Sequence, residues 1–258
     1  MRIGLCTISN TDWPIGDVID LAADLGFDGI EVWGKEPHVG GASPEEMDAI
    51  RSDCAAAGLE IPVYGSYLRP GTGGYEAEWE NELDAAEALE ADLIRIWAGE
   101  SEFGEYDEAE WEAAVEDLQH LSARADERGL GVTVEKHGGT LTNRAAGARQ
   151  LIEDVGAENC GINWQPSFDL TAPEVLADLE ALRSTVNNVH LQAVPEPAGY
   201  RPDRCPLSEA YFDVEAVVET LDSAGFSGYY EVEFVTPGEP YEEAVAADLA
   251  YLRSLEGA

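Results

Sequence analysis

Lysine is nearly absent: Lys35 and Lys136 are the only two in 258 residues, and the other twelve basic residues are arginines. Against these fourteen stand 53 acidic residues, for a net charge of −39. A phosphate backbone needs a basic track on its partner, so this balance excludes nucleic acid as a substrate. Cysteine is scarce as well. Cys6, Cys54, Cys160 and Cys205 lie far apart without metal-ligand spacing, and read as small buried hydrophobes in a reducing cytosol. No apolar run approaches the length of a membrane span, which excludes an integral membrane protein of the helical kind. The chain opens directly on strand-like Arg2-Ile-Gly-Leu-Cys-Thr-Ile8, so no signal peptide is expected and a cytoplasmic location is. Also missing are a linker and a Gly-rich dinucleotide fingerprint after any strand.

What is present is ample core material, 45% hydrophobic residues, and carboxylates spread over nearly every helix-like segment, as in 76–92 and 105–117. An acidic excess so evenly spread, without low complexity or loss of aromatics, is the mark of a solvated surface rather than of disorder or of a cationic partner. It fits a protein from a high-salt, halophilic cytoplasm, where dense counterions screen the repulsion.

Strand-like and helix-like segments alternate from end to end. Strands are expected at 2–8, 29–33, 61–65, 93–97, 131–139, 160–165, 188–192 and 228–234. Helices are expected at 17–25, 44–57, 76–90, 108–128, 144–155, 173–183, 213–224 and 241–255. Eight βα units of about 32 residues close most naturally into a single (β/α)8 TIM barrel, one domain over 1–258, with an open doubly wound sheet as the structural alternative.

The strand faces are unequal. In Gly131-Val-Thr-Val-Glu-Lys-His-Gly-Gly139, Val132 and Val134 share one face while Thr133, Glu135 and His137 share the other. The same division sets Ile30, Val32, Ile94, Ile96, Val189 and Leu191 against Glu31, Trp33, Arg95, Trp97, His190 and Gln192. If the apolar set packs under helices, the interior at the C-terminal strand ends is polar, charged and aromatic, where barrels of this kind usually hold branched aliphatics. Buried carboxylates need a cation, a proton or a paired base. Arg95 can neutralise Glu31 or Glu135. Glu135, Gln165, His190 and Glu233, from four consecutive strand ends, converge on one point and offer oxygens plus one imidazole, which suits manganese, magnesium or cobalt and admits zinc. A network of interior ion pairs around Arg95 accounts for the same residues without a metal, and spacing alone leaves both open.

Gly26-Phe-Asp-Gly-Ile-Glu-Val-Trp33, the Glu-x-His of 135–137, Val189-His-Leu191, Pro206-Leu-Ser-Glu209 and Gly225-Phe-Ser-Gly-Tyr-Tyr-Glu-Val-Glu233 occur in an order that resembles the xylose isomerase-like barrels. That family is the sugar phosphate isomerase/epimerase group, AP endonuclease family 2. The resemblance implies a divalent metal held by Glu135, Gln165, His190 and Glu233. Two positions depart from the family pattern: the usual Asp-x-x-His reads Gln165-Pro-Ser-Phe168, and the usual His-x-Lys-Asp reads His190-Leu-Gln192-Ala193. It further implies a sugar or sugar phosphate isomerase or epimerase, in which Glu135 and Glu233 remove and return a proton beside a carbonyl. His137 would bind a substrate oxygen, and Trp33, Trp97 and Trp13 would cover the sugar's C–H faces. Arg95 and Arg201 complete the expected substrate contacts, and Arg201 and Arg204 suit a phosphate or carboxylate, or a plain surface.

A small carbohydrate is the expected partner, and a homodimer is in keeping with barrels that often pair. An inosose-type dehydratase and a non-catalytic sugar-binding barrel are alternatives, whereas four histidines are too few for the multi-metal site of a nuclease. His38 is expected at the pocket mouth or on the surface, His120 on a helix face, Trp164 beneath a helix, and Glu231 in an ion pair with Arg95.

Overall fold

The computed structural model describes residues 1–199 and 203–256. Eight parallel strands, each hydrogen-bonded to the next in chain order, close into a barrel with β8 back against β1. The strands are β1 (Arg2–Cys6), β2 (Gly29–Trp33), β3 (Glu60–Gly65), β4 (Leu93–Ile96), β5 (Gly131–Glu135), β6 (Cys160–Trp164), β7 (Val186–Leu191) and β8 (Tyr229–Val232). The helices between and after them are α1 (Ile15–Leu25), α2 (Pro44–Ala57), α3 (Tyr75–Ala88), α4 (Glu108–Asp126), α5 (Ala145–Val155), α6 (Ala172–Leu182), α7 (Val214–Ser223) and α8 (Tyr241–Ser254). All sixteen expected elements are present, and the open sheet is excluded. Short 3-10 turns at Thr7–Ser9 and Leu207–Glu209 were not expected. No helix among the described residues is long and apolar enough to cross a membrane.

Local chemistry sets the helix ends. Ser43 and Thr171 each form a reciprocal capping box with the glutamate three residues on, Glu46 and Glu174, with proline in the first turn. Asp107 and Asp213 cap α4 and α7 by accepting the N–H of Glu110 and Ala216. Gly26 closes α1 at φ 87°, a left-handed conformation that favours a residue without Cβ.

The outward strand faces, such as Ile30, Val32, Ile94, Ile96, Val132 and Val134, are fully buried beneath the helices. The inward faces carry the polar set, and room for it is made by glycine. A Cβ on Gly65 would stand 2.5 Å from Glu31 Oε1 and 2.8 Å from an Arg95 nitrogen, and one on Gly4 would stand 2.9 Å from Glu231. Five carboxylate side chains are buried among the described residues: Glu31, Glu135, Glu231, Glu233 and Asp248. Four of these face the barrel axis, so the acidic excess is otherwise kept outside.

The fifth, Asp248 on α8, accepts the Leu207 N–H at 2.8 Å and pins the 3-10 turn of the last long loop. Burial pushes its carboxyl up to about 6, although that N–H favours the charged form. A carboxyl whose pKa is higher folded than unfolded binds more protons when folded. Its contribution is therefore full below the ordinary value of 3.8 and is lost as pH rises through 6. Asp248→Asn keeps the acceptor and removes the charge. It should stabilise the fold by up to about 3 kcal/mol at pH 7.5 and by almost nothing at pH 3.5. Chemical denaturation at both pH values checks this, and an equal effect at the two would contradict it.

Candidate active site

At the C-terminal ends of the strands lies a cavity of about 610 Å³ whose lining includes Arg95, Trp97, Glu135, His137, Gln165 and Glu233. A smaller one of about 310 Å³ sits at the opposite end of the barrel, around Arg2, Asp92 and Tyr229, and lacks convergent chemistry. Sites in this fold form at the C-terminal end.

Register explains which residues meet. Gly65 pairs with Arg95, Arg95 with Thr133, Glu135 with Asn163, and His190 with Glu231. Arg95, 3% exposed, donates its Nε to Glu31 Oε1 at 2.8 Å and an Nη to Glu135 Oε2. Glu135 Oε2 also accepts the Trp97 indole N–H at 2.5 Å, and Glu135 Oε1 accepts the Gln165 amide at 2.7 Å. The Gln192 amide bridges the opposite wall, donating to Gln165 Oε1 at 2.8 Å and to Glu233 Oε2 at 2.6 Å. A continuous chain of amides thus joins Glu135 to Glu233.

His190 lies one layer deeper, 1% exposed. Its Nε2 is 2.7 Å from Glu31 Oε2, while its Nδ1 is 3.6 Å from Glu233 Oε1 and has no hydrogen-bond partner. Ligand atoms of Glu135, His190 and Glu233 lie within 4.8 Å of one another. Below them Cys6, Glu31, His190 and Glu231 form a second cluster of the same tightness. That deeper cluster is already spent: Arg95 and His190 take Glu31, Asn188 donates to Glu231 at 2.6 Å, and none of its members lines the cavity.

Charge is distributed unevenly through these layers. Burial works against ionising Glu31, yet His190 and Arg95 hold it down at about 2. Burial likewise opposes Glu135, and Arg95, His190, His137 and the Trp97 N–H together keep it below the ordinary carboxylate range. Glu231 goes the other way: burial and the neighbouring Glu31 charge push its carboxyl well up, so it keeps its proton. His190 is raised despite its burial, chiefly by Glu31. Burial also pushes the Cys6 thiol well above its ordinary value. Glu231 therefore makes no ion pair with Arg95, whose carboxylate partners are Glu31 and Glu135.

The other expected residues divide into those at the cavity and those away from it. Trp97 lines it, stacked on His137 at 4.4 Å between ring centroids and 19° between planes. β5 ends at Glu135, so His137 reaches the cavity from a loop, half-exposed, with its Nδ1 2.6 Å from Gly138 O. Trp33 is not on the lining; its indole donates to Tyr67 at 2.8 Å and it stands behind that ring. Trp13 packs edge-on against Tyr241. His38 is buried, 2.9 Å from Thr7 Oγ1, and joins the end of β1 to the loop after β2. His120 sits against Tyr75 and Trp79 at the α3–α4 contact. Trp164 is buried and donates to Asp178 on α6. Arg201 lies outside the described residues.

Tyr67 was missed. It lies two residues past Gly65 and keeps the inward parity of Val63 and Gly65, which is the signal that could have found it. Lys136 was missed as well, because its parity points under the helices. There it is buried, 3.2 Å from Asp178 and bonded to Ser167 Oγ at 2.5 Å, yet it borders the cavity.

Similarity to known proteins follows the same architecture. A 3-dehydroshikimate dehydratase of Bacillus anthracis is 23% identical, the alignment covering 86% of this chain and 87% of that one. A fructoselysine 3-epimerase of Escherichia coli O157:H7 is 21% identical, covering 92% and 91%. The crystal structure of IOLI protein with a binding zinc atom superposes with a TM-score of 0.81 at 18% identity, covering 99% of this chain and 98% of that one. The family described as xylose isomerase-like TIM barrel matches residues 19–255, and the chain belongs to that family.

Proposed function

We propose that this barrel is a sugar isomerase or epimerase that moves a proton on and off a carbon beside a carbonyl of a small carbohydrate-like substrate. The observation that carries the reading is the facing pair Glu135 and Glu233, joined through Gln165 and Gln192 across the floor of one cavity. The two carboxylates are not equivalent. Glu135 is bonded by Arg95, Trp97 and Gln165, and hydrogen bonds to the charged form weaken a base. Glu233 accepts only from Gln192 among these side chains, so Glu233 is assigned as the base that removes the proton. Glu135, ionised at rest, stands on the other side of the carbon, takes up a proton from solvent and delivers it there. His137, held against Trp97, offers a nitrogen to a substrate oxygen, and Trp97 with Tyr67 supplies flat apolar surface for C–H groups.

The donor set supports a divalent cation. An unpartnered, fully buried His190 Nδ1 faces Glu233, and Glu31 holds the other nitrogen in the manner that orients metal-ligating histidines. Glu135, His190 and Glu233 would hold the ion, with the Gln165 carbonyl as the fourth donor implied by the family. Oxygens plus one imidazole suit manganese, magnesium, cobalt or zinc. Such an ion, when bound, acidifies the C–H next to a chelated carbonyl and hydroxyl. Four free, buried cysteines support a reducing cytoplasm as the working compartment.

A second reading, dehydration, begins with the same proton removal and differs in expelling a hydroxyl. The similarity to the 3-dehydroshikimate dehydratase supports it. Products distinguish the two, since only elimination releases water.

Glu233→Gln should fold as the parent does and slow solvent-deuterium exchange into keto-sugars and inososes by about 10²–10⁴-fold. Mass spectrometry of the recovered compound reads this, and undiminished exchange would sink the assignment of the base. Separately, Gln165→Glu adds a negative charge to the donor set and should tighten manganese binding by about tenfold or more. Competition with a fluorescent chelator measures that, and unchanged affinity would remove position 165 from the ligands.

A further inference from the structure

The amide chain across the cavity floor has a direction, and its far end leaves one atom over. Glu135 is held as a carboxylate and only accepts, so the Gln165 amide turns its nitrogen to Glu135 Oε1 and its oxygen away. That oxygen accepts from Gln192 Nε2 at 2.8 Å, and the same nitrogen donates to Glu233 Oε2 at 2.6 Å. Both N–H groups of the Gln192 amide are therefore used, and its orientation is fixed from two sides. Turned over, the amide would set its oxygen against two other oxygens. What remains is the carbonyl Oε1, which is buried and accepts no hydrogen bond from the described residues.

Gln192 is 4% exposed and lies on the lining of the cavity. Asn163, Asn188 and Glu231 also hold an unpartnered polar atom, but their side chains do not border that cavity. A buried acceptor left without a donor is costly, and folded proteins rarely keep one without a reason. The wall at this point offers acceptors only, the Gln192 carbonyl and the Glu233 carboxylate, because the Gln165 oxygen is already bonded. A ligand group that settles here therefore brings a proton. A carbonyl or ether oxygen in the same place would meet like dipoles. The carbonyl and the nitrogen that touches Glu233 belong to one planar amide, so the donor sits beside whatever Glu233 faces.

We propose that Gln192 is a specificity-determining residue whose carbonyl accepts a hydrogen bond from a substrate hydroxyl, carried by the carbon that faces Glu233. The compound handled is then an α-hydroxy carbonyl compound, bound with its hydroxyl at Gln192 and its carbonyl turned away from it. What Glu233 does to that carbon rests on the proton-transfer reading above; the hydrogen bond does not. A ketone with a methylene at that carbon, or with a substituent there that only accepts, leaves Oε1 unsatisfied and is rejected.

The test compares D-fructose with 1-deoxy-1-fluoro-D-fructose and 3-deoxy-3-fluoro-D-fructose by isothermal titration with manganese present. D-Fructose has a hydroxyl on both carbons next to its carbonyl carbon, so it satisfies the acceptor whichever of them faces Glu233. Each analogue replaces one of these hydroxyls by fluorine, which donates nothing. Wild type should bind one of the two analogues at least about tenfold more weakly than D-fructose, as a site built to bond a hydroxyl does. Gln192→Lys keeps donors toward Gln165 and Glu233 and deletes the acceptor, so it should bind that analogue and D-fructose within about twofold of each other. If the lysine variant fails to fold, Gln192→Met, which has neither donor nor acceptor amide, carries the same comparison.

Equal binding of D-fructose and both analogues by wild type, or no measurable binding of D-fructose, would overturn the proposal. So would a preference for the hydroxyl that survives Gln192→Lys. Solvent-deuterium exchange into D-fructose and scyllo-inosose is followed by mass spectrometry in parallel. A Gln192-dependent preference with no exchange into either compound refutes the proton-transfer reading alone. Exchange into D-fructose, with both analogues bound as tightly as D-fructose, refutes the hydroxyl contact alone.

Discussion

A guanidinium buried between two carboxylates organises this barrel. Arg95 joins Glu31 to Glu135 across the axis, and Gly65 is the residue that leaves room for the contact. Removing one member of such a buried set strands the others, at a cost of about 3–5 kcal/mol. The positional consequences matter more than the energy. Through Glu31 the pairing reaches His190 and turns Nδ1 toward Glu233. Through Glu135 it fixes a carboxylate in its charged form at the cavity floor. The interior ion-pair network and the group of side chains that could hold a metal, which compete as readings of the sequence, are therefore two layers of one structure. The lower layer orients the donors of the upper.

The layers differ in how they handle charge. At depth, Glu31 is ionised and Glu231 is not, because two adjacent buried carboxylates cannot both shed their protons. Higher up, Glu135 and Glu233 are kept apart by the amide chain of Gln165 and Gln192 instead of by a shared proton. Only this upper pair reaches the cavity, and it also differs from side to side in the number of donors it accepts.

Strand periodicity made the barrel and its polar centre legible. Alternation placed Glu31, Arg95, Glu135, His190 and Glu231 inside the barrel, and the structure has them there with their aliphatic neighbours beneath the helices. Legibility ended where the strands do. Trp33 and His137 were assigned by extending a period of two beyond or up to the last strand residue, where loop packing takes over from the pleat. Trp33 turns to Tyr67, and His137 reaches Trp97 from a loop. The choice of partner for Arg95 was only half legible. Parity shows which side chains face inward, but the stagger between strands decides which stand level, and that pairs His190, not Arg95, with Glu231. Arg204 could be singled out as a basic loop residue, but the rings it lies over, Phe168 and Phe234, come from the loops after β6 and β8 and no local pattern announces them.

The two departures from the family pattern, at 165 and 192, look independent in the sequence. In the structure they touch: Gln192 donates to Gln165 Oε1 at 2.8 Å. Where the family has an acidic residue at the first position and lysine at the second, the pair contributes one negative and one positive charge. Two glutamines contribute neither, so the net charge of the barrel centre is unchanged by the double exchange. What changes is the range of the interaction. A lysine would hold Glu233 by charge as well as by hydrogen bond, whereas the Gln192 amide holds it by a hydrogen bond of 2.6 Å alone. The cost of losing a cation beside Glu233 is then met from the loop, where Arg204 lies close enough to interact with the same carboxylate. The positive charge has in effect moved from the floor of the cavity to its wall.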